Sequence, residues 1–448
     1  MTITQNHALL DKNDDLTKLL NQVFPAQSED WLQDIRQTAA NWVNGSTIPT
    51  TSNEEWRFTD LSALRRVEFH STGQLTSVDI SALTLPEAVN SCLVFVNGIY
   101  APDLSTVADL PPGVVVSNLA NLSVSEQQNV KQYLAQAEGS KEVFTALNTA
   151  GISDAAVLWV GKNVIVETPI HFLFVNTASD QASIYQPRCL VVAESGSSVT
   201  LAEDFSFAAG GYTNSTKTEA VYFTNAVTEI WLGENAQVNH TRIGREGLEA
   251  FHVGKTAVTQ FRDSRYTCHA LTFGGKLSRH NLEIFQTGEQ TETVLNGLTV
   301  ISQKQLADTH SAIALNYPHG RSSQLHKCII GDRARGVFNG KVFVPKPAQL
   351  TNAAQLNRNL LLSSKARVDT KPQLEITADN VKCAHGATVS QLADDEIFYL
   401  QSRGINETDA RQLLINAFAG EIINQVPINS LQPLLFKIVN TLTSLTDG

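Results

Sequence analysis

Apolar positions along the chain change their spacing twice. At the start they fall at Leu16, Leu19, Leu20 and Val23, the period of one helical face, and Pro25 closes the stretch. A second helical pattern carries Trp31, Ile35 and Trp42, with Ser28 placed to cap it and Gly45 just past its end. The run Cys92-Leu93-Val94-Phe95-Val96 reads as a short strand meeting a turn at Asn97-Gly98. Residues 124–148 return to helical spacing.

From about residue 152 to 382 the period becomes two. The segments 157–160, 164–166, 190–192 and 226–232 are short and strand-like. Turn signals recur between such runs, at Gly196-Ser197, Gly233-Glu234-Asn235 and Ser364-Lys365. Many short strands with tight turns fit a sandwich, a barrel or a solenoid. About 230 residues is long for one sandwich, whereas a solenoid grows by adding coils. The pattern favours the solenoid, although no fixed repeat period marks it.

The last stretch is helical again. Asp394, Asp395 and Glu396 crowd a helix start, where acids suit the dipole, and Gly404 suits its stop. Asn406 can cap the next helix with Asp409 three residues on; its apolar face reads Ala410, Leu413, Leu414, Ala417 and Phe418. A final helix presents Leu431, Leu434, Leu435, Ile438, Val439 and Leu442. These stripes pack on one another or in a partner's groove. The expected domains are therefore 1–151, mixed and mostly helical; 152–382, a β core; and 383–448, helical.

Composition narrows the function. Net charge is −11 over 448 residues, which argues against nucleic acid as a partner, because phosphate contacts need a basic face. No apolar run approaches the ~18 residues of a membrane helix. The start of the chain carries Asp11, Asp14 and Asp15 and lacks the layout of an export signal, so a cytoplasmic protein without membrane contact is expected. Five scattered cysteines, Cys92, Cys189, Cys268, Cys328 and Cys383, argue for free thiols.

The candidate chemistry centres on Cys383 and His385. Two residues apart on a strand, they share a face. A thiol beside an imidazole suits a soft transition metal, and iron–sulfur chemistry depends on thiolate ligands. A tetrahedral site needs four donors, so the rest must come from elsewhere, another chain included. On spacing alone, a buried cysteine beside a hydrogen-bonded histidine is the commoner arrangement. His326 and Cys328 repeat the spacing; Cys268 and His269 are adjacent and face opposite ways. Gly254-Lys255-Thr256 resembles the end of a phosphate-binding loop, but Glu249 stands where that loop needs glycine. No nucleotide binding or hydrolysis by this chain is expected. Neither a nucleophile elbow nor a Cys-x-x-Cys occurs. No acid pair marks a polysaccharide-cleaving β-helix, the remaining enzyme class that such a fold raises.

Several ordered motifs carry a resemblance. They are Arg321-Ser322-Ser323-Gln324; the run from Asp332-Arg333-Ala334-Arg335-Gly336 to Lys341; Asn357-Arg358-Asn359-Leu360; Thr370-Lys371-Pro372-Gln373; Cys383-Ala384-His385-Gly386-Ala387-Thr388; and Phe398-Tyr399-Leu400-Gln401-Ser402-Arg403-Gly404. With the upstream Glu55-Trp56-Arg57-Phe58-Thr59-Asp60, they resemble the SufB/SufD family of the SUF iron–sulfur cluster assembly system. Similarity is dense over about 85 residues and looser elsewhere. Gly386, where SufB tends to carry an acid, and the small number of cysteines place the pattern nearer the SufD branch; Asn380 and Ser390 depart from it slightly.

The resemblance implies a right-handed parallel β-helix with helical domains at both ends. It implies a non-catalytic scaffold that pairs with a SufB-type paralogue, or with itself when alone, and binds a SufC-type ATPase. His385, with Cys383 beside it, becomes the contributor to a transient cluster or iron at the subunit interface. Phe398, Tyr399, Arg403, Leu413, Leu414 and Phe418 become the ATPase contact. Whether a flavin joins the complex is left open. Two rival roles stand beside this one: a purely structural support for SufB, and a SufB-like sulfur acceptor.

Overall fold

Alternation with period two buries one face of every strand, and consecutive strands here bury theirs against each other across a lumen. The computed structural model describes residues 15–25, 30–71, 75–138, 142–208 and 220–444. Successive strands alternate between two facing sheets. The first runs from Arg367–Ile376 through Arg335–Val344, Leu306–Ala314, Leu277–Gln286, Phe251–Gln260 and Tyr222–Leu232 to Arg188–Ala193, Ala156–Val160 and Val114–Asn118. The second runs from Lys382–Ser390 through Asn352–Leu361, Arg321–Ile330, Glu292–Ile301, Arg265–Gly274, Gln237–Glu246 and Ser198–Phe207 to Ile170–Asn176 and Ser91–Val96. Pairing is parallel throughout the central coils, and the result is a parallel β-solenoid.

Register stacks equivalent positions into rows along the lumen. One row reads Leu201, His240, Cys268, Leu295, Gln324, Gln355, His385. The corners between strands are tight. Asn235, Asp263, Gln290, Gln303, His319, Asp332 and Leu350 all turn with positive φ. Asn and Asp take that conformation at small cost, the others at more.

The β-helix draws strands from outside the expected 152–382. Ser91–Val96 pairs in parallel with Ile170–Asn176, and Lys382–Ser390 continues the second sheet beyond Asn352–Leu361. Cys383 and His385 therefore sit on a solenoid strand.

Helices 15–23, Gln33–Asn44 and Val143–Ala150 pack on the outer face of the first sheet, sharing a core with Trp56, Phe223 and Phe251. Ser28 lies outside the described residues. Leu32 at that helix's N-cap makes no side-chain cap; Asp30 Oδ1 accepts the Leu32 N–H at 2.9 Å. The helical stretch expected at 124–148 divides into Val124–Val130, with a Ser123/Glu126 capping box, and Val143–Ala150. The Glu54–Asp60 motif staples this domain to the solenoid. Trp56 lies under Arg279, whose Cζ is 3.9 Å from the ring centroid, and Asp308 accepts from Thr59 at 2.5 Å and pairs with Arg279 at 2.7 Å.

At the other terminus, Asp394–Ser402, Glu407–Ile423 and Leu431–Ser444 follow the strands. The last two cover the outer face of the second sheet over Ile243, Leu271, Leu298, Ile329 and Leu360. Asn406 caps as expected, accepting from the Asp409 N–H at 2.9 Å. The buried face of Glu407–Ile423 is Ala410, Ile415, Ala419, Ile422 and Ile423, whereas the sequence had suggested Leu413, Leu414, Ala417 and Phe418 beside Ala410. Apolar residues surround this helix on nearly every side, so their spacing does not select one stripe.

Candidate site at the open end of the solenoid

Each sheet ends in a strand with one unpaired edge, Arg367–Ile376 in the first and Lys382–Ser390 in the second. In the preceding strand, Ala353, Gln355, Asn357 and Asn359 are buried while Asn352, Ala354 and Leu356 are exposed. Register pairs Cys383 with Ala353, His385 with Gln355, Ala387 with Asn357 and Val389 with Asn359. Cys383 and His385 thus occupy the lumenal rows at the point where the lumen opens. Cys383 is half-buried against the solenoid core, and burial pushes its thiol up. His385 is exposed.

The lumen beneath them is lined with amides. Gln355 Nε2 donates to Gln324 Oε1 at 2.9 Å, and Gln324 Nε2 donates to Ser311 Oγ at 2.8 Å. Asn357 Oδ1 accepts from Thr370 Oγ1 at 2.8 Å and from Asn359 Nδ2 at 2.6 Å. Among the described residues no three His, Cys, Asp or Glu side chains are grouped to hold a metal ion. Cys383 and His385 are at most two donors, and a complete ligand set needs groups from beyond this mouth.

The similar pairs elsewhere behave differently. His326 and Cys328 share a face but are buried: His326 Nε2 meets Thr299 Oγ1 at 3.1 Å and stacks on Phe338, while burial pushes Cys328 up to about 12. Cys268 points into the core and His269 to the outer face, as their adjacency requires. Lys255 pairs with Glu283 at 2.8 Å on a regular strand, so Gly254-Lys255-Thr256 is no phosphate loop.

Sequence reasoning missed a fully buried ionic cluster deeper in the lumen. His240 Nε2 lies 3.2 Å from Glu203 Oε2, His240 Nδ1 lies 3.0 Å from the Tyr266 hydroxyl, and Thr228 donates to Glu203. Burial opposes the charge on His240, but hydrogen bonds to Cys268 and Glu203 prevail and the ring is pushed up to about 9. Burial likewise opposes the Glu203 carboxylate, yet His240, Arg242 and Thr228 hold it down to about 2. These residues lie 37 positions apart in sequence, and only the period-two alternation hints that both face inward.

The second set of predicted site residues lies on the C-terminal helices. Phe398 is 71% exposed, Tyr399 57% and Leu413 50%. Arg403 is exposed and folds over the Tyr399 ring, with Nη2 3.2 Å from the hydroxyl. Leu414 and Phe418 are half-buried. Phe418 lies beneath Lys327, whose Nζ is 4.2 Å from the ring centroid, and Lys327 and Arg358 both pair with Glu421. No described helix is long and apolar enough to cross a membrane.

Comparison with known proteins agrees with this architecture. Residues 174–418 match the family described as SUF system FeS cluster assembly, SufBD core domain, and residues 11–172 match the SufBD protein N-terminal region. The chain is 47% identical over 445 residues to the iron-sulfur cluster assembly SufBD family protein slr0076 of Synechocystis, covering 98% of each. It is 31% identical to the iron-sulfur cluster assembly protein SufD of Escherichia coli over 84% of each chain. To the Bacillus subtilis protein of the same name it is 26% identical, over 92% of this chain and 94% of the relative.

Proposed function

The chain belongs to the SufB/SufD family of iron–sulfur cluster assembly proteins, and from that premise we propose that it is a scaffold subunit whose open solenoid end docks on a SufB-type paralogue. The observation that carries this reading is a half-built donor pair on Lys382–Ser390, one of the two strands whose outer edges are unpaired among the described residues. Exposed edges invite pairing with another sheet. Docking there brings the paralogue's donors over His385 and Cys383, and iron and sulfide arrive as the reaction's substrates. The chain itself performs no hydrolysis; nucleotide chemistry belongs to a SufC-type ATPase.

That ATPase binds the C-terminal helices, at Phe398, Tyr399, Arg403 and Leu413, with Leu414 and Phe418 behind them. Exposed aromatic and aliphatic side chains beside an arginine suit a protein interface. A route for its motion runs through Glu421, which pairs with Lys327 and Arg358 on the two strands preceding Lys382–Ser390. The motion shifts the interface only if contacts there differ between the nucleotide states.

The test is co-purification with both partners, followed by anaerobic iron and sulfide analysis. The reading expects a complex in which His385→Ala assembles normally but loses most of its cluster. Full loading of that variant would mean that this subunit only supports its paralogue.

A further inference from the structure

Gln355 lies one strand deeper than His385 in the same lumenal row and is almost fully buried. Its carboxamide reaches across the lumen to Gly340 of the opposite sheet. A Cβ at Gly340 would stand 2.3 Å from Gln355 Nε2, so the glycine leaves the room that this placement of the carboxamide uses. The nitrogen is committed to Gln324 of the previous coil, and Gln324 is in turn held by Ser311. Among the described residues the oxygen has no donor.

A buried acceptor without a donor is costly, and natural folds rarely tolerate one without reason. The next residue of the row on the open side is His385, whose exposed ring has no hydrogen-bond partner among the described residues. Adjacent parallel strands lie ~4.8 Å apart, a gap that a glutamine and an imidazole span easily. Asn359 Oδ1 is also without a donor, but the next residue in its row is Val389, which has none to give.

We propose that Gln355 Oε1 accepts one ring N–H of His385 when the open end is covered. This bond fixes the imidazole tautomer and turns the other ring nitrogen, with its lone pair, toward iron. The inference rests on the reading of His385 as a ligand. Metal-binding histidines commonly donate their second N–H to a carbonyl or carboxylate, which sets both tautomer and ring orientation. Gln355 is a positioning residue: it touches the ligand's side chain and not the metal. The Ser311–Gln324–Gln355 chain fixes the amide nitrogen and so leaves the oxygen for this task.

The experiment uses the full chain, labelled with 15N-histidine and bound to its unlabelled partner subunits, before and after anaerobic addition of ferrous iron. NMR reads the tautomer of His385, and equilibrium titration reads ferrous affinity. The wild type should hold one tautomer. Gln355→Leu should give a mixture and bind ferrous iron about 10–100-fold more weakly. Gln355→Glu, which keeps an acceptor, should restore the single tautomer. Gln355→Met serves if the leucine variant does not fold. An unchanged tautomer in Gln355→Leu or Gln355→Met, alongside lost loading in His385→Ala, overturns the role of Gln355 and leaves the ligand reading intact. Undiminished loading in His385→Ala overturns the ligand reading itself and this inference with it.

Discussion

Near the start of the solenoid the lumen is packed with stacked rings, Phe95 on Phe174 and Phe174 on Phe205, each pair 5.2 Å apart. Near its end the same lumen holds Gln324, Gln355, Asn357, Asn359 and Thr370. The edges differ in the same sense. At the first end, the antiparallel segments Ile99–Tyr100 and Thr106–Val107 pair with Ser91–Val96, and Val114–Asn118 pairs antiparallel with Ala156–Val160. At the last end the terminal strands are long and parallel, 10 residues in Arg367–Ile376 and 9 in Lys382–Ser390, each with one edge unpaired among the described residues. An open edge is a hazard that folds usually cover. One end is closed by short antiparallel strands, while the other presents amides and two long parallel edges, the face that the proposed docking would use.

This contrast can be broken by mutation. Phe205→Ala, at the closed end, should cost about 3–5 kcal/mol of unfolding free energy. Glu203→Ala should cost a similar 3–5 kcal/mol, because it strands a charged His240 in the core. Urea denaturation measures both, and a loss below 1 kcal/mol for either would show a much looser lumen. At the open end, His385→Ala should change stability by no more than about 0.5 kcal/mol while removing most cluster loading.

The buried pair also gives the closed region a pH signature. His240 rises from an ordinary 6.5 to about 9 in the fold. Its contribution is complete below 6.5 and is lost as pH rises through about 9. Glu203 falls from an ordinary 4.5 to about 2, so its contribution is present above 4.5 and lost as pH falls through about 2. Denaturation midpoints of the wild type should therefore decline between pH 6.5 and 9, and a His240→Gln variant should lose much of that decline. A part remains from His310, where burial opposes the charge but Asp308 and Glu55 still hold the ring above its ordinary value. The smallest effect on stability is expected at Phe398, where replacement by Asp should stay within about 0.5 kcal/mol yet abolish the proposed binding of a SufC-type ATPase in a pull-down.

The two ends were not equally legible in the sequence. Alternation in segments such as 190–192 and 226–232 announces strands, and the Cys383/His385 spacing announces a shared face from sequence alone. The coil period stays hidden because each corner solves its turn with a different residue, among them Asn235, Gln303, His319 and Leu350, so no motif recurs. Glu203 meets His240, and Gln355 comes to lie one strand below His385, through register alone, which no local pattern encodes. The buried side of Glu407–Ile423 is not legible in the sequence, because Leu413 and Ile415 are both apolar and only packing on Ile329 and Leu360 separates them.

Hydrogen–deuterium exchange on the full chain, alone and with the SufB-type paralogue proposed to dock on it, tests the central claim most directly. Slowed exchange should appear along Arg367–Ile376 and Lys382–Ser390 on addition of the partner, with the strands around Phe174 unchanged. Protection confined to another face, with these two edges exchanging as fast as before, would contradict the account.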